Sequence, residues 1–491
     1  MIDDKGSVSC FGILRNLYHG KRIMGRKERN ECMIEIAVGA ALFAALFIWG
    51  LVQPIGSQPD EQCRYVLPYY IMREGKLPNG NVSELVINTW GISYAFFPGL
   101  PYLVMALFMK VTSLFTANSY ALLMAARVVN MLAGVVSYVF VRKTAKKLFS
   151  NQWTGWFFTL TAVFWPQAMF IFTYVNCDAF ACMSCAIMVY ALVSGLKESW
   201  TVKNYVTLSV GIAICALSYY NAYGMVLGSI IVFLVSFFYR KENGKTGFAM
   251  KDCLRIGFTI AGIVFVLAGW WFIRSAVLND GDFLGFAANR RSAELYAVDS
   301  FKPSVKETFR NTGYPIYCLL FHEGYREMLV SSFFGRFGNM DLSAPNYVLR
   351  GFKIILFIGI LGLLLPNRRK AFTGAKRAGF FAGMFVAALT PLLLAYWYAY
   401  ASDFQAQGRY LLPGLIPMLS ILFMGIQNIT DCITKITEKK AVIGTWLLRV
   451  LYMGSYVYIA AAAAGSIYTV WRRYYPVFSE TIGMVFTGGP V

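Results

Sequence analysis

Hydrophobic stretches long enough to cross a lipid bilayer recur along this chain from residue 34 to residue 468. A transmembrane helix needs about 20 mainly apolar residues. Hydrophobic residues make up 57% of the 491 positions and charged residues 14%, whereas soluble domains carry about 25% charged residues. These values exclude a water-soluble fold, and we predict an all-α integral membrane protein.

The first hydrophobic run, residues 34–52, follows a basic stretch at residues 21–29, as a signal peptide does. The run is long enough to span, however, and residues 53–56 lack the small-x-small pattern that favours cleavage. We interpret it as a retained first helix.

The distribution of Lys and Arg sets the orientation, because these residues accumulate in cytoplasmic loops. If residues 96–115 formed a full span, the basic cluster at 142–147 would lie opposite the basic N-terminus, and later basic loops would be inverted. If residues 98–115 instead lie along the outer interface as a juxtamembrane helix, the basic clusters share one face. We therefore predict a cytoplasmic N-terminus and about 11 spans, with a range of about 10–13. The spans lie at residues 34–53, 121–141, 154–174, 178–196, 204–219, 223–239, 256–277, 351–365, 379–400, 411–428 and 442–470.

This topology divides the chain into four parts. They are a cytoplasmic segment at residues 1–33, a module of about seven helices at residues 34–277 with outer loop 54–120, a long outer loop at residues 278–350, and C-terminal helices at residues 351–491.

A formal charge of +20 would suggest nucleic acid for a soluble protein, but here the positive-inside pattern accounts for it, and we predict no nucleic-acid partner. The ten cysteines include Cys182, Cys185 and Cys215 within predicted spans. We interpret them as small packing residues. A metal site at Cys177, Cys182 and Cys185 is disfavoured because no second pair or His matches the spacing.

Two adjacent carboxylates, Asp60 and Glu61, follow the first span, where Pro59 fixes the approach of the chain. A carboxylate beside low-dielectric surroundings can accept a proton, or can hold a cation if a partner converges. The plainer alternative is a solvated loop in which Asp60 caps a helix over residues 61–74. Asp178 likewise either caps the helix that follows it or converges with Asp60.

Three arginines lie at predicted outer positions: Arg274 at the end of a span, Arg409 beside Tyr410 at the start of another, and Arg336 in an aromatic turn. Such arginines either extend their charge to water or bind a phosphate through the planar guanidinium. Because the topology places them on the same face as Asp60, a base and phosphate-binding groups are predicted to meet at a lipid-accessible site.

These features resemble the GT-C superfamily of polytopic membrane glycosyltransferases, which use polyprenyl-phosphate sugars. The closer likeness is to a bacterial branch with four motifs and covers almost the full length. Here the motifs are Pro59-Asp60-Glu61, Asn176-Cys177-Asp178, Trp270-Trp271-Phe272-Ile273-Arg274 with Gly281-Asp282, and Gln407-Gly408-Arg409-Tyr410-Leu411-Leu412-Pro413. The branch has a His three residues after the Glu, where this chain has Arg64.

The resemblance implies a GT-C-like fold with outer juxtamembrane helices and an active site on the outer face of the plasma membrane. It implies that Asp60 is the base that deprotonates an acceptor hydroxyl and that Glu61 orients this site. Asp178, with Asn176 and Arg64, would bind the acceptor or a cation.

The resemblance also assigns the donor phosphate to Arg274, Arg409 and Tyr410, with Arg336 as a weaker candidate. A lipid monophosphate leaving group requires no metal, so no cofactor is expected, although the sequence leaves room for a divalent cation. The metal ligands stay unknown.

The implied activity is hexosyl or pentosyl transfer, generally inverting, in cell-envelope glycan or glycoconjugate assembly. The acceptor would be a cell-wall polymer, a glycolipid or a protein, and membrane lipid surrounds the enzyme. A transporter or flippase of a lipid-linked or anionic substrate is the main alternative. It is disfavoured because inverted repeats and paired midplane charges are not evident in the sequence.

Overall fold

The computed structural model describes residues 25–240, 246–366, 371–372, 374–437 and 441–487. Most of the predicted cytoplasmic segment and part of the basic loop near residue 370 lie outside these ranges.

Helices dominate the first half of the chain. They are α1 (Arg26–Val52), α2 (Glu61–Glu74), α3 (Leu100–Ser113), α4 (Ser119–Leu148), α5 (Gln152–Val163), α6 (Pro166–Ile171), α7 (Asp178–Glu198), α8 (Val202–Ala216) and α9 (Tyr223–Ser236). Short 3₁₀ turns cover Ser83–Leu85, Tyr94–Phe96 and Tyr220–Ala222.

The second half continues the pattern. Its helices are α10 (Met250–Val264), α11 (Trp270–Leu278), α12 (Phe286–Tyr296), α13 (Ile316–Leu320), α14 (Glu323–Gly335), α15 (Asn346–Leu363), α16 (Gly374–Ala401), α17 (Leu415–Ile436) and α18 (Ala441–Thr487). A π-helical turn, Phe265–Gly269, joins α10 to α11, and 3₁₀ turns cover Asp299–Phe301 and Gly408–Gly414.

Strands contribute little to the described chain. Strand β1 (Phe238–Arg240) pairs antiparallel with β2 (Thr246–Phe248), and β3 (Arg336–Phe337) pairs with β4 (Leu342–Ser343). The all-α prediction is confirmed.

The predicted spans correspond to helices. Within the described residues, eight helical segments are long and apolar enough to cross a membrane: α1, α4, α7, α10 with α11, α15, α16, α17 with its preceding 3₁₀ turn, and α18. The other predicted spans are the shorter helices α8 and α9 and the broken pair α5–α6. The break falls at Trp165-Pro166, because proline lacks an N–H donor and its ring clashes with the preceding turn.

Helix α3, predicted to lie along the interface, begins and ends at the same end of the bundle. At its start, the Leu100 N–H donates to the Leu217 carbonyl over 3.1 Å, just beyond the end of α8. At its end the chain enters α4, where the Tyr120 hydroxyl donates to the Leu51 carbonyl near the end of α1 over 2.6 Å. Helix α3 therefore does not cross the bundle. We call this end, which also contains Asp60, the Asp60 end.

The opposite end holds basic residues of α4 and α16. Arg142 and Lys146, near the end of α4, pair with Glu35 of α1 at 2.9 Å and 2.7 Å. The Lys376 ammonium of α16 donates to the Leu196 carbonyl at the end of α7 over 3.5 Å. The structure thus places these basic residues, which the topology assigns to inner loops, at the end opposite Asp60, while the assignment of the ends to inner and outer faces stays a prediction.

Helix α7 lies at the centre of the bundle, and its most apolar window is completely buried. Small residues on its neighbours let other helices approach it closely. For example, a Cβ on Gly211 of α8 would lie 2.7 Å from the Met188 side chain of α7. Cys182, Cys185 and Cys215 are buried free thiols, in accord with their interpretation as packing residues.

Cysteine substitutions at exposed positions test the topology. Asn81 and Asp280 lie in segments of the Asp60 end, whereas Ala375 lies at the start of α16. In a variant whose partly exposed Cys63, Cys318 and Cys432 are replaced by Ser, we expect a membrane-impermeant maleimide to label N81C and D280C in intact cells. A375C should be labelled only after lysis. Labelling of N81C and A375C from the same side would contradict the topology.

Candidate active site

Asp60 ends the loop between α1 and α2 in a left-handed conformation, with φ 62° and ψ 1°. Asp tolerates this conformation better than most residues because its short side chain can bond locally. Helix α2 starts at Glu61 and ends at Glu74, as predicted, but the Asp60 side chain does not cap it. The capping alternative therefore does not explain this carboxylate.

Glu61 points the other way, into the protein, and forms a two-point ion pair with Arg127 of α4. Arg127 Nε and Nη2 donate to the two carboxylate oxygens over 2.8 Å and 2.6 Å, and both side chains are 0% exposed. Arg127 Nη1 also donates to the carbonyls of Gly50 and Gln53 over 2.7 Å. The pair thus joins α1, α2 and α4 beneath Asp60.

The turn between α6 and α7 is held by the same group of residues. The Val175 N–H donates to Glu61 Oε1 over 2.9 Å. Asn130, three residues after Arg127 and hence on the same side of α4, donates to the carbonyls of Tyr174 and Asn176 over 2.6 Å and 3.1 Å. This turn is therefore fixed relative to Asp60.

Asn176 and Asp178 have different roles within that turn. Asn176 Oδ1 accepts the Ala179 N–H over 3.0 Å, so Asn176 satisfies the start of α7. Asp178 is fully buried, and neither of its carboxylate oxygens has a hydrogen-bond partner in the described protein. A buried carboxylate without donors is costly, so Asp178 is a group that a bound ligand can satisfy.

Arg409 enters from the far end of the sequence, in the 3₁₀ turn before α17, and is 1% exposed. Its Nη2 lies 2.5 Å from Asp60 Oδ2, and its Nη1 donates to the Tyr174 hydroxyl over 3.3 Å. The guanidinium lies over the Tyr410 ring at 5.2 Å. The chain comes this close because Gly408 packs on the Phe333 backbone, where a Cβ would overlap it. Arg409 is therefore not a snorkelling surface residue.

Arg64, one turn after Asp60 in α2, reaches the same carboxylate oxygen at 3.7 Å. Its Nη1 donates to Cys177 Sγ over 2.8 Å and to the Tyr102 hydroxyl over 3.2 Å, and its guanidinium lies 4.5 Å from the Tyr94 ring centre. The prediction that Arg64 helps to bind the acceptor or a cation stays a prediction, and the acceptor is the ligand that suits it, because arginine stays positively charged. It can bind an acceptor oxygen or an anion.

The charge state of Asp60 follows from these neighbours. Burial favours the neutral acid, but Arg409 and Arg64, with a hydrogen bond from Tyr94, outweigh it and hold the pKa of Asp60 below its ordinary value of 3.8. Asp60 is thus a carboxylate at neutral pH. Its side chain is 29% exposed, which makes it accessible while Arg409 and Glu61 are buried.

Two predicted phosphate-binding arginines lie elsewhere. Arg274 donates to the carbonyls of Leu77 and Pro78 over 3.2 Å and 2.8 Å, and so braces the loop after α2. Arg336 donates from Nε to the Met340 carbonyl over 2.6 Å, within the β3–β4 hairpin. The structure brings Asp60, Arg64, Asp178, Arg409 and Tyr410 together, but engages these two guanidinium groups with backbone carbonyls.

The sequence analysis missed the residues that hold the site, above all Arg127 and Asn130. An arginine and an asparagine three residues apart in a transmembrane helix are a recognisable signal, because polar groups there face the protein interior and find partners. Arg127 bonds to carbonyls at the end of α1, so it lies near a helix end rather than at mid-span. Tyr94, Tyr102 and Tyr174 were missed because each comes from a different segment.

A resident metal has few protein ligands here. Over the described ranges, no group of three or more His, Cys, Asp or Glu side chains is placed to hold a metal ion. A divalent cation at Asp178 or Asp60 would need oxygen ligands from substrate or water.

The family described as "Predicted membrane protein (DUF2142)" matches residues 79–419 of the chain. No curated protein matches the sequence of this chain.

Three solved structures are similar to this chain. ArnT from Cupriavidus metallidurans bound to undecaprenyl phosphate has a TM-score of 0.51 at 12% identity, over 90% of this chain and 76% of ArnT. The oligosaccharyltransferase AglB from Archaeoglobus fulgidus, in complex with an inhibitory peptide and a dolichol-phosphate, has a TM-score of 0.45 at 12% identity. The match covers 88% of this chain and 55% of AglB. The arabinosyltransferase EmbB from Mycobacterium smegmatis has a TM-score of 0.45 at 12% identity. The match covers 98% of this chain and 45% of EmbB. The likeness to ArnT shows that the chain has the GT-C fold, as the sequence predicted.

A double-mutant cycle tests the Glu61–Arg127 pair. Glu61→Gln or Arg127→Met leaves a buried charge without its partner, which costs about 3–5 kcal/mol. The double variant should lose clearly less than the sum of the two. Thermal unfolding in detergent measures this, with Glu74→Gln, at an exposed carboxylate, as the nearly neutral control. Additive losses would contradict the pair.

A pH series tests the ion pairs of Asp60. Because its pKa is lower folded than unfolded, ionised Asp60 stabilises the protein above pH 3.8, and this contribution disappears as the pH falls through the lowered value. Wild type should therefore unfold at a higher temperature than Asp60→Asn at about pH 7, with the difference shrinking towards about pH 3. A constant difference would contradict these pairs.

Proposed function

We propose that this chain, which belongs to the family described as Predicted membrane protein (DUF2142), is a glycosyltransferase. It moves a hexosyl or pentosyl group from a polyprenyl-phosphate donor to an acceptor hydroxyl, with inversion, at the outer face of the plasma membrane. The observation that carries the proposal is Asp60, a partly exposed carboxylate between the buried Arg64 and Arg409 at one end of a GT-C bundle.

The reaction needs a base for the acceptor hydroxyl and a group that stabilises the departing phosphate anion. The acceptor hydroxyl loses its proton to Asp60 as its oxygen bonds to the anomeric carbon. The bond between that carbon and the phosphate oxygen breaks, and the lipid phosphate leaves with the electron pair. Arg409 offsets the negative charge that develops on the phosphate, which is the kind of interaction that most lowers a transition-state barrier.

The carboxylates divide the work. Asp60 is accessible and is our candidate for the base, whereas buried Glu61, with both oxygens bound to Arg127, acts only by positioning it. Asp178 is suited to binding the acceptor, because its unpartnered oxygens can accept hydrogen bonds from sugar hydroxyls. It could also bind a cation that bridges to the substrate. Asn176 maintains the turn that presents Asp178.

Arg409 and Tyr410 form the donor side. Arg409 contacts the phosphate, and the Tyr410 hydroxyl, which donates to Gln405 Oε1 over 2.5 Å, holds the turn that carries it. Arg274 and Arg336 support the surrounding loops. ArnT, whose fold is similar, is bound to undecaprenyl phosphate, which supports this donor class. A cell-wall polymer, a glycolipid or a protein fits the acceptor.

The orientation is part of the proposal. Basic residues at the end opposite Asp60 favour a cytoplasmic N-terminus and an outer active site. Polar groups gathered at one end, rather than at mid-span, favour an enzyme over a transporter or flippase.

Transfer by purified protein in detergent tests the activity. Wild type is supplied with a panel of polyprenyl-phosphate sugars and a membrane extract as acceptor. Asp60→Asn keeps the size of the side chain and the left-handed conformation but removes the base. We expect it to lower the rate about 10²–10⁴-fold.

Asp280→Asn is the matched control. Asp280 also has a left-handed backbone, with φ 55°, but its side chain is 93% exposed and pairs with Arg291 at 3.6 Å. Its rate should equal that of wild type. Equal rates for wild type and Asp60→Asn, or absence of transfer from every donor, would overturn the proposal.

A further inference from the structure

Two buried arginines share one oxygen of Asp60, and neither uses its full donor set. Arg409 Nη2 and Arg64 Nη2 both approach Oδ2, at 2.5 Å and 3.7 Å. The Nε atoms of both arginines are buried and have no hydrogen-bond partner in the described protein. Since buried donors are normally paired, these two are suited to bond an acceptor that a ligand brings.

The ion pair of Glu61 with Arg127 provides a comparison within the same molecule. There Nε and Nη2 each donate to a separate carboxylate oxygen, so the guanidinium edge is filled. The Arg409–Asp60 pair uses Nη2 alone, and the same edge is left half used. A phosphate, with several acceptor oxygens, can bond to both donors of that edge.

We propose that Arg64 and Arg409 form a phosphate clamp which Asp60 occupies in the absence of donor, so that the phosphate of a polyprenyl-phosphate sugar displaces the Asp60 carboxylate and frees it to act as the base. This inference rests on the proposed function and adds Arg64 to the donor site.

Charge balance supports the exchange. The groups that face Asp60 are Arg64, Arg409, Tyr94, Tyr398, Tyr410 and Cys63. The only cations among them are the two arginines, so a phosphate that binds these arginines removes their stabilisation of the Asp60 carboxylate. The affinity of Asp60 for a proton then rises towards the range that a general base needs.

The exchange also fits the course of the reaction. The donor is a phosphodiester with one negative charge, whereas the leaving monoester carries about −1.5 to −2 at neutral pH. As Asp60 takes the acceptor proton and becomes neutral, it no longer competes for the arginines. Their interaction therefore strengthens with the phosphate as the sugar departs, which is the differential binding that speeds a reaction.

Binding of undecaprenyl phosphate to the purified full-length protein tests the clamp without any transfer. Asp60→Asn removes the competing anion, so we expect affinity to rise at least about tenfold, or about 1.4 kcal/mol. A role of Asp60 in structure alone would lower affinity or leave it unchanged, and either result would overturn the clamp. Asp60→Gly, compatible with the left-handed conformation, should also bind more tightly, which guards against misfolding of one variant.

Arginine variants identify the donors. Arg409→Gln and Arg64→Gln should each weaken binding by about tenfold or more, while Arg274→Gln should leave affinity unchanged. Loss of affinity only in Arg274→Gln would overturn the clamp. Undecaprenol, which lacks the phosphate, should not compete, and inorganic phosphate should compete weakly at the same site. Competition by phosphatidylglycerol equal to that by undecaprenyl phosphate would show a general anionic-lipid site and contradict the proposal.

The clamp and the proposed function fail in different ways. If wild type transfers sugar in an Asp60-dependent manner but Asp60→Asn binds undecaprenyl phosphate no more tightly, the clamp is wrong and the function stands. If Asp60→Asn binds more tightly while wild type transfers no sugar from any donor, the clamp stands and the function is wrong.

Discussion

The buried ion pair between Glu61 and Arg127 fixes the relative positions of three helices and one turn, and the polar groups of the site depend on it. Arg127 bonds to α1 through the Gly50 and Gln53 carbonyls, and Glu61 bonds to the α6–α7 turn through the Val175 N–H. Removing one partner would leave an uncompensated charge and free backbone groups in a low-dielectric interior, which is why a single pair can constrain so many segments.

Adjacent residues acquire opposite roles because of this constraint. With Glu61 held inward, Asp60 is turned outward in a left-handed conformation, where Arg409 and Arg64 meet it. Glu61 has its acceptors filled and is inaccessible, whereas Asp60 is accessible and shares two arginines that have unused donors. The difference in exposure and pairing between the two carboxylates therefore comes from the three-dimensional contacts, since the residues are neighbours in sequence.

Much of the fold was predictable because the hydrophobic spans and the basic loops are strong local signals. They predicted the helices, among them the helix over residues 61–74, and an α3 that does not cross the bundle. They also placed Asp60, Asp178 and Arg409 at one end. The sequence could not show which of these side chains contact one another. Arg274 and Arg409 both follow the pattern of an arginine at a helix end, yet only Arg409 reaches Asp60, because Gly408 lets its turn pack against Phe333. Arg127 was overlooked since its partner, Glu61, is 66 positions away.

A structure of the wild-type protein with undecaprenyl phosphate bound would show whether the Asp60 end binds the donor phosphate beside the proposed base. We expect phosphate oxygens within hydrogen-bond distance of Arg409 and Arg64, with the Asp60 carboxylate moved away from Arg409 and exposed towards the acceptor side near Asp178. A phosphate bound at Arg274 or Arg336, with the Asp60–Arg409 pair intact, would contradict a donor site at the Asp60 end.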